Sequence, residues 1–273
     1  MQKILEKFRN IDKTAILIFT VAFVIRLAYL AIILQHSPID KIASSPPDTV
    51  RYMNLAKDLA DFQISNESNL YMVGFGYSLF LALLFLLSGK ALLFTLICQI
   101  VVASVTTMLI YKIGCLIVRR RIFGIIASVI NAISPTALSL NTAFLSETIF
   151  FACIVLSIYT YLKVITDPTI KKYILMGILI AYATFTRSVG QFLPIVFILA
   201  VVITPAKHFM VPKKRVILSI IISMSLALIL IATWAFRNYL VNDTYVVSGT
   251  GPGAAAMYLG TSVLSQKYIH KVS

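Results

Sequence analysis

Long apolar runs separated by short polar and basic segments recur along this 273-residue chain. The runs extend over Thr14 to Leu34, Gly74 to Gly89, Ala91 to Gly114, Ile122 to Leu138, Glu147 to Val164, Tyr173 to Thr186, Gln191 to Thr204 and Val216 to Trp234. Such runs must form helices in a bilayer, because lipid offers no partner for unpaired backbone groups. Their lack of strict alternation argues against a β-barrel. The pattern predicts an all-α fold, a polytopic transmembrane helical bundle.

The basic residues indicate how these runs cross the membrane. The N-terminal segment is basic, and Arg119, Arg120 and Arg121 follow the Ala91 to Gly114 run. Both basic clusters belong in the cytoplasm, which requires that the Gly74 to Gly89 run does not cross. That run is also short, so we expect a juxtamembrane or re-entrant segment on the outer face. The remaining runs then alternate and form about seven spans.

This scheme treats residues 1–273 as a single transmembrane domain. Its parts are a first span at 14–34, an outer loop with juxtamembrane helices at 35–90, the remaining spans at 91–235 and an outer C-terminal stretch at 236–273. We expect a bend at Pro135 within one span. The protein is predicted to lie in a plasma (inner) membrane, multi-pass, with its N-terminus in the cytoplasm.

The composition is that of a membrane protein. Hydrophobic residues make up 59% and charged residues 12% of the chain, whereas soluble domains are about a quarter charged. The net charge of +14 comes from basic residues in short loops, so nucleic acid is not an expected partner. Cys98, Cys115 and Cys153 lie in apolar runs without the spacing of a metal site or a disulfide framework. The chain contains neither an ATP-binding loop nor a zinc-protease motif.

In this scheme, polar residues from distant parts of the chain fall at one outer membrane level. They are Asp40, Asp48, Arg51, Tyr52, Glu147, Arg187, Arg237, Asn238 and Tyr239. Charge at a membrane boundary is costly unless it is paired or used, so this set is the candidate functional site. Arg26 lies deeper, in the first span, and is expected to pair within the bundle.

Asp48 stands at the head of an amphipathic segment. The apolar positions of the segment recur at helical spacing, at Tyr52, Leu55, Ala56, Leu59 and Phe62. They predict an interfacial helix from about Thr49 to Phe62. Asp48 follows two prolines and occupies an N-cap position, so it is a capping residue, a functional acid at the water boundary, or both. Spacings of three and four residues put Arg51 and Tyr52 on its helix face.

Other members of the set also have purely structural interpretations. Glu147 opens a span, where a negative charge stabilises the helix N-terminus. Arg187 lies between two spans and could be an interfacial arginine that reaches toward water. Trp234, Arg237 and Tyr239 could form an ordinary interfacial girdle. The residues alone leave these alternatives open.

Five short segments carry a resemblance to a known family. They are Pro47 to Leu59, Tyr71 to Phe80, Leu145 to Thr148, Phe185 to Arg187 and Trp234 to Tyr239, the last followed by a small-residue loop at Ser248 to Gly260. In order, they resemble a first outer loop with Asp and Tyr four residues apart, a Pro-Pro-Gly-Tyr-Pro-Leu segment, a Thr-Glu start of a span, a Leu-Thr-Arg turn and a Pro-Trp-x-x-Arg-Asn-Tyr motif. These are motifs of the superfamily C (GT-C) glycosyltransferases, in the branch of the protein O-mannosyltransferases and lipid A aminoarabinose transferases.

The chain also departs from the family pattern. Phe75 and Ser78 stand where prolines are common, and Asp48 is followed by Thr49 where an acidic pair is often found. Family members usually continue well past the seventh span, whereas this chain stops at Ser273. It is therefore expected to be truncated relative to the family, without the usual C-terminal region.

The resemblance implies a glycosyltransferase that moves a hexosyl or pentosyl group from a polyprenyl-phosphate-linked donor to an acceptor hydroxyl. Transfer would invert the sugar on the extracytoplasmic face, with Asp48 of the outer loop as catalytic base. The implied substrate-binding residues are Arg51, Tyr52, Glu147, Arg187, Arg237, Asn238 and Tyr239. The implied partners are the donor, membrane lipid and a glycan, lipid or protein acceptor, and the motifs favour a bacterial membrane. No cofactor is assigned, although Asp48 and Glu147 could hold a divalent metal ion.

Two other functions stay open. A lipid or sugar-lipid transporter would use the same outer arginines, but it predicts discontinuous helices with polar residues at mid-membrane. The spans carry few such residues beyond Arg26, Gln99 and Asn131. The other alternative is an inactive, truncated fragment of a glycosyltransferase.

Overall fold

The computed structural model describes residues 12–45, 47–63, 74–205 and 210–242. Its helices are α1 Lys13–His36, α2 Ile39–Ala43, α3 Pro47–Ala60, α4 Phe75–Ser88, α5 Leu92–Val118, α6 Arg121–Ile133, α7 Pro135–Asn141, α8 Glu147–Val164, α9 Ile170–Thr186, α10 Leu193–Ile203 and α11 Lys213–Asn242. A 3₁₀ helix, Ser188–Phe192, joins α9 to α10. The prediction of an all-α polytopic bundle is confirmed, while the predicted loop at 248–260 lies outside the described residues.

Among the described residues, four helices are long and apolar enough to cross a membrane: α1, α5, α8 and α11. Helices α6 and α7 meet the same criterion together as one broken span, bent by 59°. The bend follows from Pro135 in the first turn of α7, which a hydrogen bond from the Ala137 amide to Ser134 Oγ caps. Helix α9 has 17 residues, and the Ser188–Ile203 segment is also short. The chain is a multi-pass membrane protein. The number of spans, about seven, remains a prediction.

Helices α5 and α6 approach each other closely at two glycines. A Cβ atom added to Gly114 would lie 2.7 Å from Cα of Gly124. One added to Gly124 would lie 2.5 Å from the carbonyl oxygen of Tyr111. Small residues are favoured at such crossings because helix association in lipid depends on close packing rather than on the hydrophobic effect.

Helices α3 and α4 pack against each other. The predicted stripe of α3 is buried at Tyr52, Leu55 and Ala56, none of which is more than 9% exposed. Phe62 was wrongly included in that stripe: it lies beyond the end of α3 and is 83% exposed. Helix α3 begins at Pro47 rather than at Thr49.

An ion pair connects the far ends of these two helices. Lys90 follows α4, and its Nζ lies 2.7 Å from Oδ2 of Asp61, which follows α3. Both chain segments therefore lie at the same level of the molecule. Helix α4 has 14 residues, fewer than a span needs. The length of α4 agrees with a segment that does not cross the membrane, and its position on the outer face stays a prediction.

Candidate functional site

Asp48 is an exposed carboxylate in the first turn of α3. Because the helix begins at Pro47, Asp48 lies inside the first turn and not at the N-cap position that the sequence indicated. Its side chain is 64% exposed, and Oδ1 lies 3.7 Å from Nη1 of Arg51. An exposed pair at this distance contributes about 0.2–1 kcal/mol at most. The carboxylate is therefore only weakly held and is accessible to a ligand.

Two hydrogen bonds attach the start of α3 to the segment that precedes α8. The buried Thr49 hydroxyl donates to the carbonyl oxygen of Phe144 at 3.0 Å. The Tyr52 hydroxyl donates to Oγ of Ser146 at 3.2 Å. The Tyr52 ring also packs edge-on against Tyr77, with ring centroids 5.0 Å apart. These contacts position the helix turn that carries Asp48.

Ser146 also connects α3 to an ion pair between α8 and α9. Arg187, directly after α9, donates from Nη1 to Oε1 of Glu147 at 2.5 Å and to Oγ of Ser146 at 3.3 Å. The Arg187 side chain is 40% exposed and that of Glu147 is 34% exposed. Both charged groups are therefore fixed by each other while part of each faces solvent. We refer to Asp48, Arg51, Tyr52, Ser146, Glu147 and Arg187 as the outer cluster.

The titration of Tyr52 reflects the charges of this cluster. Burial raises the pKa of the Tyr52 phenol above its ordinary value, and this is the largest effect. The hydrogen bond with Ser146 and the charge of Arg187 lower that pKa, whereas the charges of Asp48 and Glu147 raise it. The phenol is thus protonated at neutral pH and can donate its hydrogen bond. All three charged groups lie within electrostatic reach of one hydroxyl.

Two glycines allow α4 to pack against the end of α9. A Cβ atom on Gly76 would lie 2.6 Å from Oγ1 of Thr186, and one on Gly74 would lie 2.1 Å from the Thr186 carbonyl oxygen. The Tyr182 hydroxyl donates to the carbonyl oxygen of Gly76 at 2.7 Å. Since Arg187 directly follows Thr186, this contact positions the arginine of the outer cluster.

The α11 residues predicted for the site form a separate group. The guanidinium carbon of Arg237 lies 5.5 Å from the centroid of the Trp234 ring, at a distance typical of a cation–π contact. Nη1 of Arg237 donates to Oδ1 of the buried Asn238 at 3.2 Å. Tyr239 is 36% exposed.

Trp234 is the connection between this group and the outer cluster. Its ring stacks on Phe75 of α4, with centroids 4.5 Å apart, and lies 5.9 Å from the ring of Phe185, two residues before Arg187. In the described part of the chain, no hydrogen bond or ion pair joins Arg237 directly to the outer cluster. Arg237 is thus held near the end of α9 through aromatic rings.

The structure separates Asp40 from the rest of the predicted set. Asp40 lies in the first turn of α2 and lines a surface cavity of about 250 Å³ with Asn54 and Lys57. In contrast, sequence analysis missed Thr49 and Ser146. Their side chains bond across the tertiary structure, and neither residue type nor spacing signals such a contact.

A larger cavity, of about 360 Å³, lies between α1, α5, α8 and the break between α6 and α7. Glu147 and Thr148 line it from α8, and Arg26 lines it from α1. The outer cluster therefore borders on a space inside the bundle.

Divalent metal binding by Asp48 and Glu147 stays a prediction. No group of three or more His, Cys, Asp or Glu side chains suited to a metal ion occurs among the residues that the structure describes. The Glu147 carboxylate is bonded to Arg187. Cys98, Cys115 and Cys153 are free thiols, and the latter two are buried.

Comparison with known protein families gives a match over much of the chain. A family model described as dolichyl-phosphate-mannose-protein mannosyltransferase matches residues 73–236, more than half of the chain. The match confirms the resemblance to GT-C glycosyltransferases. The matched range contains Glu147, Arg187 and Trp234, whereas Asp48 and Arg237 lie outside it. Neither curated proteins nor solved structures gave a match.

Proposed function

Because the chain belongs to the dolichyl-phosphate-mannose-protein mannosyltransferase family, a family of membrane glycosyltransferases, we propose the reaction that it catalyses. It transfers a sugar from a polyprenyl-phosphate-linked donor to an acceptor hydroxyl at the extracytoplasmic face, with inversion. The observation that supports this most is the exposed carboxylate of Asp48, held beside the Glu147–Arg187 pair through Tyr52 and Ser146. A donor carried on a lipid requires its catalytic groups at the membrane surface.

Asp48 is the catalytic base of this proposal. An alcohol is a poor nucleophile, and a carboxylate within hydrogen-bond distance accepts its proton while the new bond to the anomeric carbon forms. The bond between that carbon and the phosphate oxygen breaks at the same time, and the lipid phosphate leaves with the electron pair. Asp48 suits this role because its side chain is 64% exposed and only weakly paired.

Arg187 and Arg237 bind the phosphate of the donor in this proposal. Guanidinium groups stay charged and bind phosphate oxygens in pairs. In its described contacts, the Arg187 side chain uses only Nη1, so its other N–H donors are available. Glu147 orients Arg187 by accepting the bond from Nη1. Helix α11 brings Arg237 to the same end of α9 through Trp234.

The remaining members of the proposed substrate-binding set divide by exposure. Arg51 and Tyr239 are exposed and can contact the sugar or the acceptor. Tyr52 is 9% exposed and Asn238 is buried, so both act by positioning neighbouring groups. The acceptor, a glycan, a lipid or a protein, reaches the site from the outer side of the membrane.

The substitution Asp48→Asn tests the proposed base. Asparagine keeps the shape of the side chain but cannot accept a proton, so the rate of sugar transfer should fall by about 10²- to 10⁴-fold. The rate is measured in membranes with the full chain and a polyprenyl-phosphate sugar. Asp58→Asn makes the same change on the opposite half of α3 and should retain the wild-type rate. A wild-type rate for Asp48→Asn would rule out Asp48 as the base.

A further inference from the structure

Arg26 is a buried cation whose described partners are all neutral. The residue is 1% exposed. Its Nη1 donates to the carbonyl oxygen of Ala22 at 3.0 Å, and Nη2 donates to Thr107 Oγ1 at 3.0 Å and to Asn131 Oδ1 at 3.3 Å. Among the described residues, no carboxylate lies at ion-pair distance from Arg26, and Nε has no hydrogen-bond partner. A buried charge in a membrane span is costly unless it is paired or functional.

The cavity of about 360 Å³ adjoins this guanidinium. Its volume lies in the range of roughly 300–1,000 Å³ that is usual for small-molecule sites. Arg26, Asn131 and Ser134 line it from α1, from α6 and from the residue between α6 and α7. The chain bends by 59° at that residue, so α7 points away from the direction of α6. The cavity therefore lies at the bend between these two helices.

Two described side chains around the cavity, Asn131 and Ser134, keep hydrogen-bond donors that a ligand could use. Oδ1 of Asn131 accepts from Arg26 and from the Thr107 hydroxyl, the latter at 2.7 Å, so the amide NH₂ is the group left for a ligand. Oγ of Ser134 accepts from the Ala137 amide at 3.4 Å, so its hydroxyl proton remains to be donated. Together with the charge of Arg26, which lines the same cavity, these groups combine a positive charge with two donors.

We propose that this cavity binds a phosphate group, with Arg26 as its counter-ion. A guanidinium surrounded by N–H and O–H donors matches the oxygen acceptors of a tetrahedral oxyanion. Glu147 also lines the cavity, but its carboxylate is already paired with Arg187. The exposed Phe151 and Thr136 form part of the lining, so a phosphate carried on a lipid headgroup can enter from the bilayer.

This site is separate from the two arginines assigned to the donor phosphate. Arg26 lies in α1, whereas Arg187 and Arg237 lie after α9 and in α11. The proposal rests on the buried guanidinium and on the donors of the cavity, and it does not depend on sugar transfer. A binding measurement without a sugar donor can therefore test it independently.

The test measures binding to the full chain purified in detergent. The probes are dioctanoyl phosphatidic acid, dioctanoylglycerol, which lacks the phosphate, and inorganic phosphate. Phosphatidic acid should bind, dioctanoylglycerol should not, and Arg26→Gln should raise the Kd for phosphatidic acid about 10- to 100-fold, as expected for lost charge-assisted bonds. Arg120→Gln removes an arginine that does not line the cavity and should leave this Kd unchanged. Equal binding of dioctanoylglycerol would overturn the proposal.

A second variant keeps the test decisive if Arg26→Gln does not fold. Ala137→Leu retains Arg26 and fills the cavity from α7, so it should weaken phosphatidic acid binding to a similar extent while the circular dichroism stays that of the wild type. Competition by inorganic phosphate would support recognition of the phosphate group itself. Binding of phosphatidic acid but not of inorganic phosphate would support a lipid ligand. Wild-type affinity in the folded variants would refute the site.

Discussion

Ser146 illustrates what a single residue contributes to the outer cluster. It precedes Glu147 at the start of α8, where serine commonly caps a helix, yet its side chain makes no capping hydrogen bond. Its hydroxyl oxygen instead accepts bonds from Tyr52 and from Arg187. One small side chain therefore couples the helix of the proposed base to the charge pair.

The Glu147–Arg187 pair allows a prediction at the scale of the residue. Glu147→Gln removes the charge that orients Arg187 while it keeps the side-chain shape. The two side chains are 40% and 34% exposed, so water screens the pair. The interaction free energy that is lost should therefore be about 1 kcal/mol, which corresponds to roughly fivefold in affinity for the donor. We expect KM for the polyprenyl-phosphate donor to rise by this factor and kcat to change less, as measured by steady-state kinetics.

The control for this variant is Asp61→Asn, which breaks the exposed pair with Lys90. It should leave both kinetic constants unchanged. A loss of kcat in Glu147→Gln as large as that in Asp48→Asn would contradict the orienting role. It would instead indicate that Glu147 itself exchanges a proton with substrate.

At the scale of the element, α4 is the helix that places the site. It lies between α3 and the end of α9, and its aromatic residues pack against α3 on one side and against α11 on the other. Tyr77 meets Tyr52 of α3, and Phe75 stacks on Trp234 of α11. The two glycines at its start permit this position because any larger residue would overlap with Thr186.

Gly76→Ala tests this role of α4. The added methyl group would lie 2.6 Å from Thr186 Oγ1 and 2.8 Å from its amide nitrogen, so backbone must shift. Overpacking of this kind costs about 1–3 kcal/mol, and the midpoint of thermal unfolding in detergent should fall by several degrees. Sugar transfer should also slow, because Arg187 follows the displaced residue.

A matched control lies at the other end of the same helix. Gly89 has a φ of +63°, and no atom lies within 4 Å of an added Cβ. Gly89→Asn should keep the wild-type unfolding midpoint, because asparagine tolerates this backbone conformation. An unchanged midpoint for Gly76→Ala would mean that the contact between α4 and Thr186 is not required.

At the scale of the whole molecule, the orientation in the membrane decides whether the outer cluster can meet a lipid-linked donor outside the cell. The basic triplet Arg119, Arg120 and Arg121 lies at the junction of α5 and α6. If that junction is cytoplasmic, the opposite ends of both helices are outside. The ion pair between Asp61 and Lys90 then places the ends of α3 and α4 together on that outer side.

Cysteine labelling tests this orientation. In a chain whose three cysteines are replaced by alanine, single cysteines are introduced by Asp61→Cys, Lys90→Cys and Asp167→Cys. A membrane-impermeant maleimide should label the first two in intact cells, and the third only after lysis. Labelling of Lys90→Cys only after lysis would show that α4 crosses the membrane. Labelling of Asp167→Cys in intact cells would reverse the predicted orientation.

The fold class and most helix positions are predictable from the sequence. In lipid every backbone polar group needs an internal partner, so apolar runs become helices wherever they occur. The bend at Pro135 follows from the residue itself, because proline lacks a backbone N–H and clashes with the preceding turn of a helix. The buried stripe of α3 also follows from its periodicity, and Phe62 was wrong only because the helix ends before it.

The arrangement of the site follows from the tertiary structure alone. The sequence predicted which charged residues belong to the outer level, including Glu147 and Arg187, but not that these two pair. It also did not indicate that Ser146 joins them to Tyr52, or that Arg26 lines a cavity with only neutral hydrogen-bond partners. Periodicity and charge are properties of the sequence itself, so both can be recognised without the fold. Hydrogen bonds between residues some 40 to more than 90 positions apart depend on how the helices pack, and packing is decided only when the bundle closes.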